Sequence, residues 1–116
     1  MPGTCTRGMV LEVNLDPAIG SEPAKTRPCV VIQNDIGNRY SPVSIVAIVT
    51  GAENVPRRYP VDVPVPAGEG GLAKDSVVQC NLLRSVDERR FVRPLGHLSK
   101  ASMERVDRAL RISLGL

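Results

Sequence analysis

The chain has no tryptophan, two tyrosines, one phenylalanine and a single histidine among its 116 residues. With aromatics at 3% of residues, a core has to be assembled from Val, Ile, Leu and Ala. One histidine rules out a His–His acid–base pair, and His97, alone between Gly96 and Leu98, supports no Ser–His–Asp set. Cysteine is sparse and odd in number. Cys5, Cys29 and Cys80 follow neither a CxxC pattern nor a Cys/His zinc spacing, so no disulfide framework and no zinc fold is expected. Cys29 and Cys80 sit inside apolar runs, where a reduced thiol behaves as a small hydrophobe. No apolar run approaches the ~18 residues of a membrane span, and the first ten residues, MPGTCTRGMV, hold no apolar segment of a secretory signal. A reduced, cytoplasmic protein without membrane contact is expected. The acidic residues form no cluster with metal-ligand spacing, so neither a metal nor a cofactor is expected. The glycine-rich PAGEGGLAK (66–74) lacks the GxxxxGK[ST] spacing and precedes a strand rather than a helix, which excludes a phosphate-cradling P-loop.

What is present fits a single domain over 1–116, by the usual size of ~100–200 residues. A chain of this size buries about two-thirds of its unfolded surface. The net charge of +3 is unevenly placed: residues 76–116 carry eight Lys/Arg against four Asp/Glu, with the excess around Arg84, Arg89, Arg90 and Arg93. Such a patch permits an anionic partner without requiring one.

Period-two alternation of Met9, Leu11, Val13 and Leu15 predicts a half-buried strand over 8–15, stopped by Asp16-Pro17. A polar loop is expected over 16–27, then a strand opening at Pro28, which forces Arg27 towards extended backbone angles. The turn-rich 36–42 reads as loop. VSIVAIVT (43–50) predicts a long buried strand, VDVPV (61–65) an edge strand demoted by Pro64, DSVVQCNLL (75–83) a fifth strand and 91–93 a short sixth. One helix is expected over 100–114, capped by Ser99, with Met103, Val106, Leu110 and Leu114 as its apolar stripe and Glu104/Arg108 and Asp107/Arg111 as ion pairs. Short strands with one terminal helix predict a small, strongly bent antiparallel barrel, a mainly β fold.

The chemistry then rests on polar groups at strand ends. Glu22, Lys25 and Arg27 precede the second strand, Asn34 and Asp35 follow it, Thr50 ends the third, and Asp75 and Ser76 open the fifth. If strands two and three pair as a hairpin, Arg27 comes near Thr50. A guanidinium fork beside a hydroxyl suits a phosphate. Two classes stay open at this point: a phosphodiester-cleaving or phosphate-binding protein, and a non-catalytic small barrel that binds protein or peptide in the same groove.

The run RGMVLEVNLDPAIGSEPAKTRPCVVIQND (7–35), followed by SIVAIVT, DSVVQCNLLRSVD and the closing helix, resembles the MazF/PemK family of toxin ribonucleases over nearly the whole chain. The resemblance implies an SH3-like barrel with a C-terminal helix, a homodimer, and metal-independent, sequence-specific cleavage of single-stranded RNA, chiefly mRNA. It implies products with 2′,3′-cyclic phosphate and 5′-hydroxyl ends, and a cognate antitoxin that blocks the RNA groove. A gyrase-targeting toxin of related fold is the alternative. The family's catalytic Arg and Thr fall on Arg27 and Thr50, and its loop Glu falls on Glu22. Asn34 and Ser76 match groove-lining positions, and Lys25 and Arg84 are expected to contact RNA. Where some relatives carry a Glu-Gln pair late in strand five, this chain has Asn81-Leu82, which bears on base choice.

Overall fold

Alternation in the first strand sorts its residues onto two faces, and both are buried. Val10 joins one apolar cluster, while Leu11, Val13 and Leu15 join another on the opposite side. The structure, a computed structural model, describes residues 4–22 and 25–116. Among the described residues there are six strands: β1 (Met9–Asn14), β2 (Thr26–Val31), β3 (Val43–Gly51), β4 (Asp62–Val65), β5 (Ser76–Asp87) and β6 (Phe91–His97). They form one antiparallel sheet in the order β4-β5-β3-β2-β1-β6. β4, with Pro64, lies at one edge, where a missing backbone donor is tolerated. Two helices complete the fold, α1 (Asp35–Tyr40) and α2 (Lys100–Leu114).

The sheet bends because β5 carries more residues than its partner. Ala47 pairs with Leu83 but the next residue, Ile48, pairs with Gln79, so Cys80, Asn81 and Leu82 bulge out of the ladder. A bulge re-aims side chains and sharpens local twist. The other curved side is brought in by glycine. A single 3₁₀ turn at Glu69–Gly71 packs on β6 so closely that a Cβ on Gly71 would lie 2.1 Å from the Leu95 carbonyl oxygen. Gly71 also has φ 73°, a left-handed conformation open mainly to glycine. The PAGEGGLAK segment is thus a seam between the β4–β5 connection and β6.

The structure revises several expected boundaries. β2 begins at Thr26, two residues before Pro28, and pairs with β1 from Thr26 opposite Asn14. β5 continues to Asp87 and β6 to His97, both longer than expected, because pairing with β3 and β1 extends them. Of the expected loop 16–27, Pro23 and Ala24 lie outside the described residues. Residues 36–42 are not all turn, since Asp35–Tyr40 forms α1. Gly37 and Asn38 are poor helix formers. The helix exists because Asn34 caps it and because Asn38 is buried in a polar network described below.

Helix α2 keeps its expected start. The Ser99 hydroxyl oxygen accepts the Ser102 N–H at 3.1 Å, and Gly115 closes the other end with φ 72°. The Glu69 carboxylate adds a second cap from outside, accepting the Ser99 N–H at 3.1 Å and its hydroxyl at 3.2 Å. The buried stripe runs through Ser102, Val106 and Ala109, with Met103 and Leu110 packed beside it, whereas Leu114 is exposed. Asp107 bonds Arg7 across the fold at 2.7 Å rather than Arg111 along the helix. The same Arg7 donates through Nε to the Ile32 carbonyl at 2.8 Å, and so ties the N-terminal segment, β2 and α2 together.

Candidate active site

The pairing of β2 with β3 places the two side chains on which the sequence reading centres. Cys29 stands opposite Ile48, Val30 opposite Ala47 and Val31 opposite Val46. The ladder ends at Cys29–Ile48, and the same register carried two residues further would bring Arg27 towards Thr50. Cys29, Val31, Val46 and Ile48 all point into one apolar cluster. Arg27 and Thr50 follow with the same parity, so they share that face of the sheet. Both residues are half-buried, and both line a pocket of about 370 Å³ that also takes in Glu12, Asn54, Lys74, Ser76 and Arg93.

Along the same face of β3, Ile48 borders a second hollow of about 540 Å³ lined by Ser21, Glu22, Asn81, Leu82 and Arg84. The β5 bulge creates this hollow by turning Asn81 and Leu82 towards it. Arg84 is fixed there by donating to the Leu15 carbonyl at 2.7 Å. Beneath lies Cys29. Burial pushes its thiol up to about 12, while the positive charges of Arg84 and Arg27 pull it partly back. Two guanidinium groups therefore project their field onto one spot of the sheet. Cys29 itself is buried and lines neither hollow.

The sequence-predicted residues divide accordingly. Arg27, Thr50 and Ser76 meet in the first pocket, and Glu22 and Arg84 meet in the second. Lys25 is exposed and lines neither. Its backbone is left-handed, with φ 65°, held by its N–H on Asp16 Oδ1 at 2.8 Å and by its carbonyl on the Leu15 N–H at 2.9 Å. Asn34 lies beyond the far end of β2 and lines neither pocket. Its Oδ1 accepts the Gly37 N–H at 2.8 Å as the cap of α1. Ser76 is buried, and its hydroxyl donates to the Lys74 carbonyl at 2.8 Å, so its first role is to hold the pocket wall.

Sequence reasoning overlooked Asn54, Lys74 and the Glu12–Arg93 pair. Asn54 donates to Thr50 Oγ1 at 3.2 Å, and Lys74 pairs with Glu53 at 3.0 Å on the pocket rim. Lys74 had a usable signal, two residues ahead of Ser76. Asn54 had none, because only the turn after β3 brings it back over Thr50. The basic excess at 84–93 is also more engaged than its charge suggested. Arg90 donates to the carbonyls of Asn14 and Asp16 at 3.1 and 2.5 Å, Arg89 pairs with Asp87, and Arg93 pairs with Glu12. Arg84 and Arg90 thereby clamp the root of the β1–β2 loop that carries Glu22. Among the described residues, no three His, Cys, Asp or Glu side chains gather as a metal site would need.

A guanidinium and a hydroxyl thus line one pocket of a bent sheet that carries a C-terminal helix. The family model for PemK-like, MazF-like toxins of type II toxin–antitoxin systems matches residues 6–114. The chain belongs to this family. It is 43% identical over 110 residues to Endoribonuclease EndoA of Bacillus subtilis (strain 168), covering 95% of this chain and 94% of that protein. Its fold matches MazF from Deinococcus radiodurans with a TM-score of 0.81 and 26% identity over 97% of each chain. It also matches an endoribonuclease in complex with its cognate antitoxin from Mycobacterial species, with a TM-score of 0.80 over 97% of each chain; at 20% identity, that likeness concerns the fold alone. No helix of the described residues is long and apolar enough to cross a membrane.

Proposed function

We propose that this toxin-family chain is an endoribonuclease that cuts single-stranded RNA, chiefly mRNA, at the pocket of Arg27 and Thr50. The observation that carries this reading is that Arg27 and Thr50 line one pocket, in a chain of this family. The ribose 2′-oxygen attacks the adjacent phosphorus, forming the 2′-O–P bond as the P–O5′ bond breaks. The products are a 2′,3′-cyclic phosphate and a 5′-hydroxyl. Negative charge gathers on the non-bridging oxygens, and Arg27, a permanent cation, is placed to stabilise it. Stabilisation of this preorganised kind is usually the largest single catalytic term. Thr50 donates its hydroxyl hydrogen to a phosphate oxygen as a hydrogen bond, and the departing 5′-oxygen takes its proton from solvent water. Glu22 lines the adjoining hollow and takes the 2′-hydroxyl proton of a nucleotide that spans both, or orients Arg27. Arg84 offers a fixed charge to the flanking phosphates, Lys25 meets the strand at the loop, and Asn81 and Leu82 contribute to base choice. The reaction needs no metal.

In this reading the chain acts in the cytoplasm as a homodimer, and a cognate antitoxin occupies the RNA groove. The test is incubation of a structured-site-free RNA with the purified protein in EDTA, with the ends of the fragments identified by mass spectrometry. Cyclic phosphate and 5′-hydroxyl ends are expected. Cleavage that stops in chelator and returns with Mg²⁺ overturns the proposed chemistry.

A further inference from the structure

Thr50 carries one hydroxyl hydrogen and two acceptor lone pairs. For the reading above, that hydrogen has to point at a phosphate oxygen. A threonine at a strand end has no intrinsic reason to point it there, so something must direct the rotor. The turn after β3 supplies a candidate. Gly51 leaves the strand in extended geometry, and a single 3₁₀ turn over Ala52–Asn54 folds the chain back on itself. That turn is secured by backbone bonds: the Ala52 N–H donates to the Asp75 carbonyl at 2.9 Å, and the Val55 N–H to the Ala52 carbonyl at 3.1 Å. No side chain caps it. With these backbone bonds in place, the Asn54 side chain is available for a contact of its own. It is exposed, lines the Arg27–Thr50 pocket, and donates from Nδ2 to Thr50 Oγ1 at 3.2 Å.

We infer that Asn54 is a positioning residue for the cleavage reaction, acting through Thr50. Its amide fills one lone pair of the hydroxyl, which leaves the hydroxyl hydrogen for an oxygen bound beside Arg27. The hydroxyl so polarised is also a better donor. The inference rests on the proposed role of Thr50, and the test separates failure of one from failure of the other.

A double-mutant cycle decides it: wild type, Asn54→Ala, Thr50→Ala and the double variant, with Asn54→Asp as a fifth protein. The readouts are the single-turnover rate at saturating protein on a transcript whose cut site is first mapped with wild type, and the affinity for the same RNA bearing a 2′-deoxy substitution at that site. Asn54→Ala is expected to lower the rate about ten-fold with affinity and melting temperature unchanged, the loss of one aligned hydrogen bond. Asn54→Asp is expected to fall further, because a carboxylate only accepts and draws the Thr50 hydrogen to itself. In the Thr50→Ala background, Asn54→Ala is expected to change nothing more. The inference is overturned if Asn54→Ala cuts at the wild-type rate, if it loses affinity alone, or if its cost persists in full without the Thr50 hydroxyl. A Thr50→Ala protein that cuts at the wild-type rate removes the parent reading as well, whereas a crippled Thr50→Ala beside an intact Asn54→Ala removes only the inference.

Discussion

The two ends of β2 look alike in sequence and behave in opposite ways. SEPAKTR leads into the strand and supplies its first two residues, and QNDIGNR follows it; each is polar and each holds an arginine. At the far end the polar groups serve one another. Asn38 is buried at 2% exposure with all four of its hydrogen-bonding positions filled. It donates to the Gln33 carbonyl at 2.9 Å and to Asp35 Oδ1 at 3.2 Å. It accepts from the Ser44 hydroxyl at 2.6 Å and from Gln33 Nε2 at 3.2 Å. At the near end, Arg27 and Thr50 open onto a pocket, beside a second hollow carrying Glu22 and Arg84. A polar cluster that completes its own bonds builds structure, since a satisfied network rigidifies. One that lines a pocket can be reached by a ligand.

The sharpest way to break this contrast is to remove the near-end cation. Arg27→Ala is expected to lower RNA cleavage by ~10²–10³-fold, the usual loss for one preorganised donor, with a cooperative melt retained in circular dichroism. Near-normal cleavage by the folded variant would remove Arg27 from the chemistry.

The far end should respond in stability instead. Asn38→Ala leaves the buried Ser44 hydroxyl and the Gln33 amide short of partners, and is expected to cost about 2–3 kcal/mol in denaturant unfolding. Its cleavage rate well below the melting range should stay close to wild type. A selective loss of activity would mean that the two ends are coupled through β2.

Asn34 tests the boundary between the two behaviours. As a helix cap, its replacement by alanine should cost about 1 kcal/mol of stability and leave affinity for uncleavable, 2′-deoxy-substituted RNA unchanged. A drop in affinity at constant stability would return Asn34 to the groove that sequence matching assigned to it.

The smallest effect concerns acid. The Arg7 backbone N–H, first, and the Asn38 amide hold the Asp35 carboxyl below its usual value of 3.8. A carboxylate with a lowered pKa in the folded state adds stability that is fully present above its unfolded pKa. That contribution is lost as pH falls through the folded value. Asp35→Asn should therefore flatten the stability curve only below about pH 3.8. Denaturant midpoints measured from pH 5 to 2.5 check this, and an unchanged slope would show that the charge contributes nothing.

Much of the molecule was legible before its structure. The alternation of GMVLEVNL, the β-branched run VSIVAIVT and the Ser99 cap of α2 are local signals, because strand and helix periods are properties of the backbone itself. That Arg27 and Thr50 line one pocket was also within reach, since a hairpin brings the start of one strand beside the end of the next. Other features depended on packing between segments far apart in the chain. Helix α1 arises from poor helix formers because Asn38 finds Ser44 and Gln33 inside the fold. The β5 bulge that turns Asn81 and Leu82 to the second hollow is a mismatch between two strands and is written in neither alone. Asp107 pairs with Arg7 across 100 positions of chain rather than with its helical neighbour. Glu22 falls in the hollow beside Arg27's pocket because distant Arg84 and Arg90 hold the root of its loop. Periodicity and caps act over a few residues, so the sequence by itself determined which segments are strands and where α2 begins. Which polar groups bond one another, and which line a pocket, depends on register and closure, and these only the tertiary structure decided.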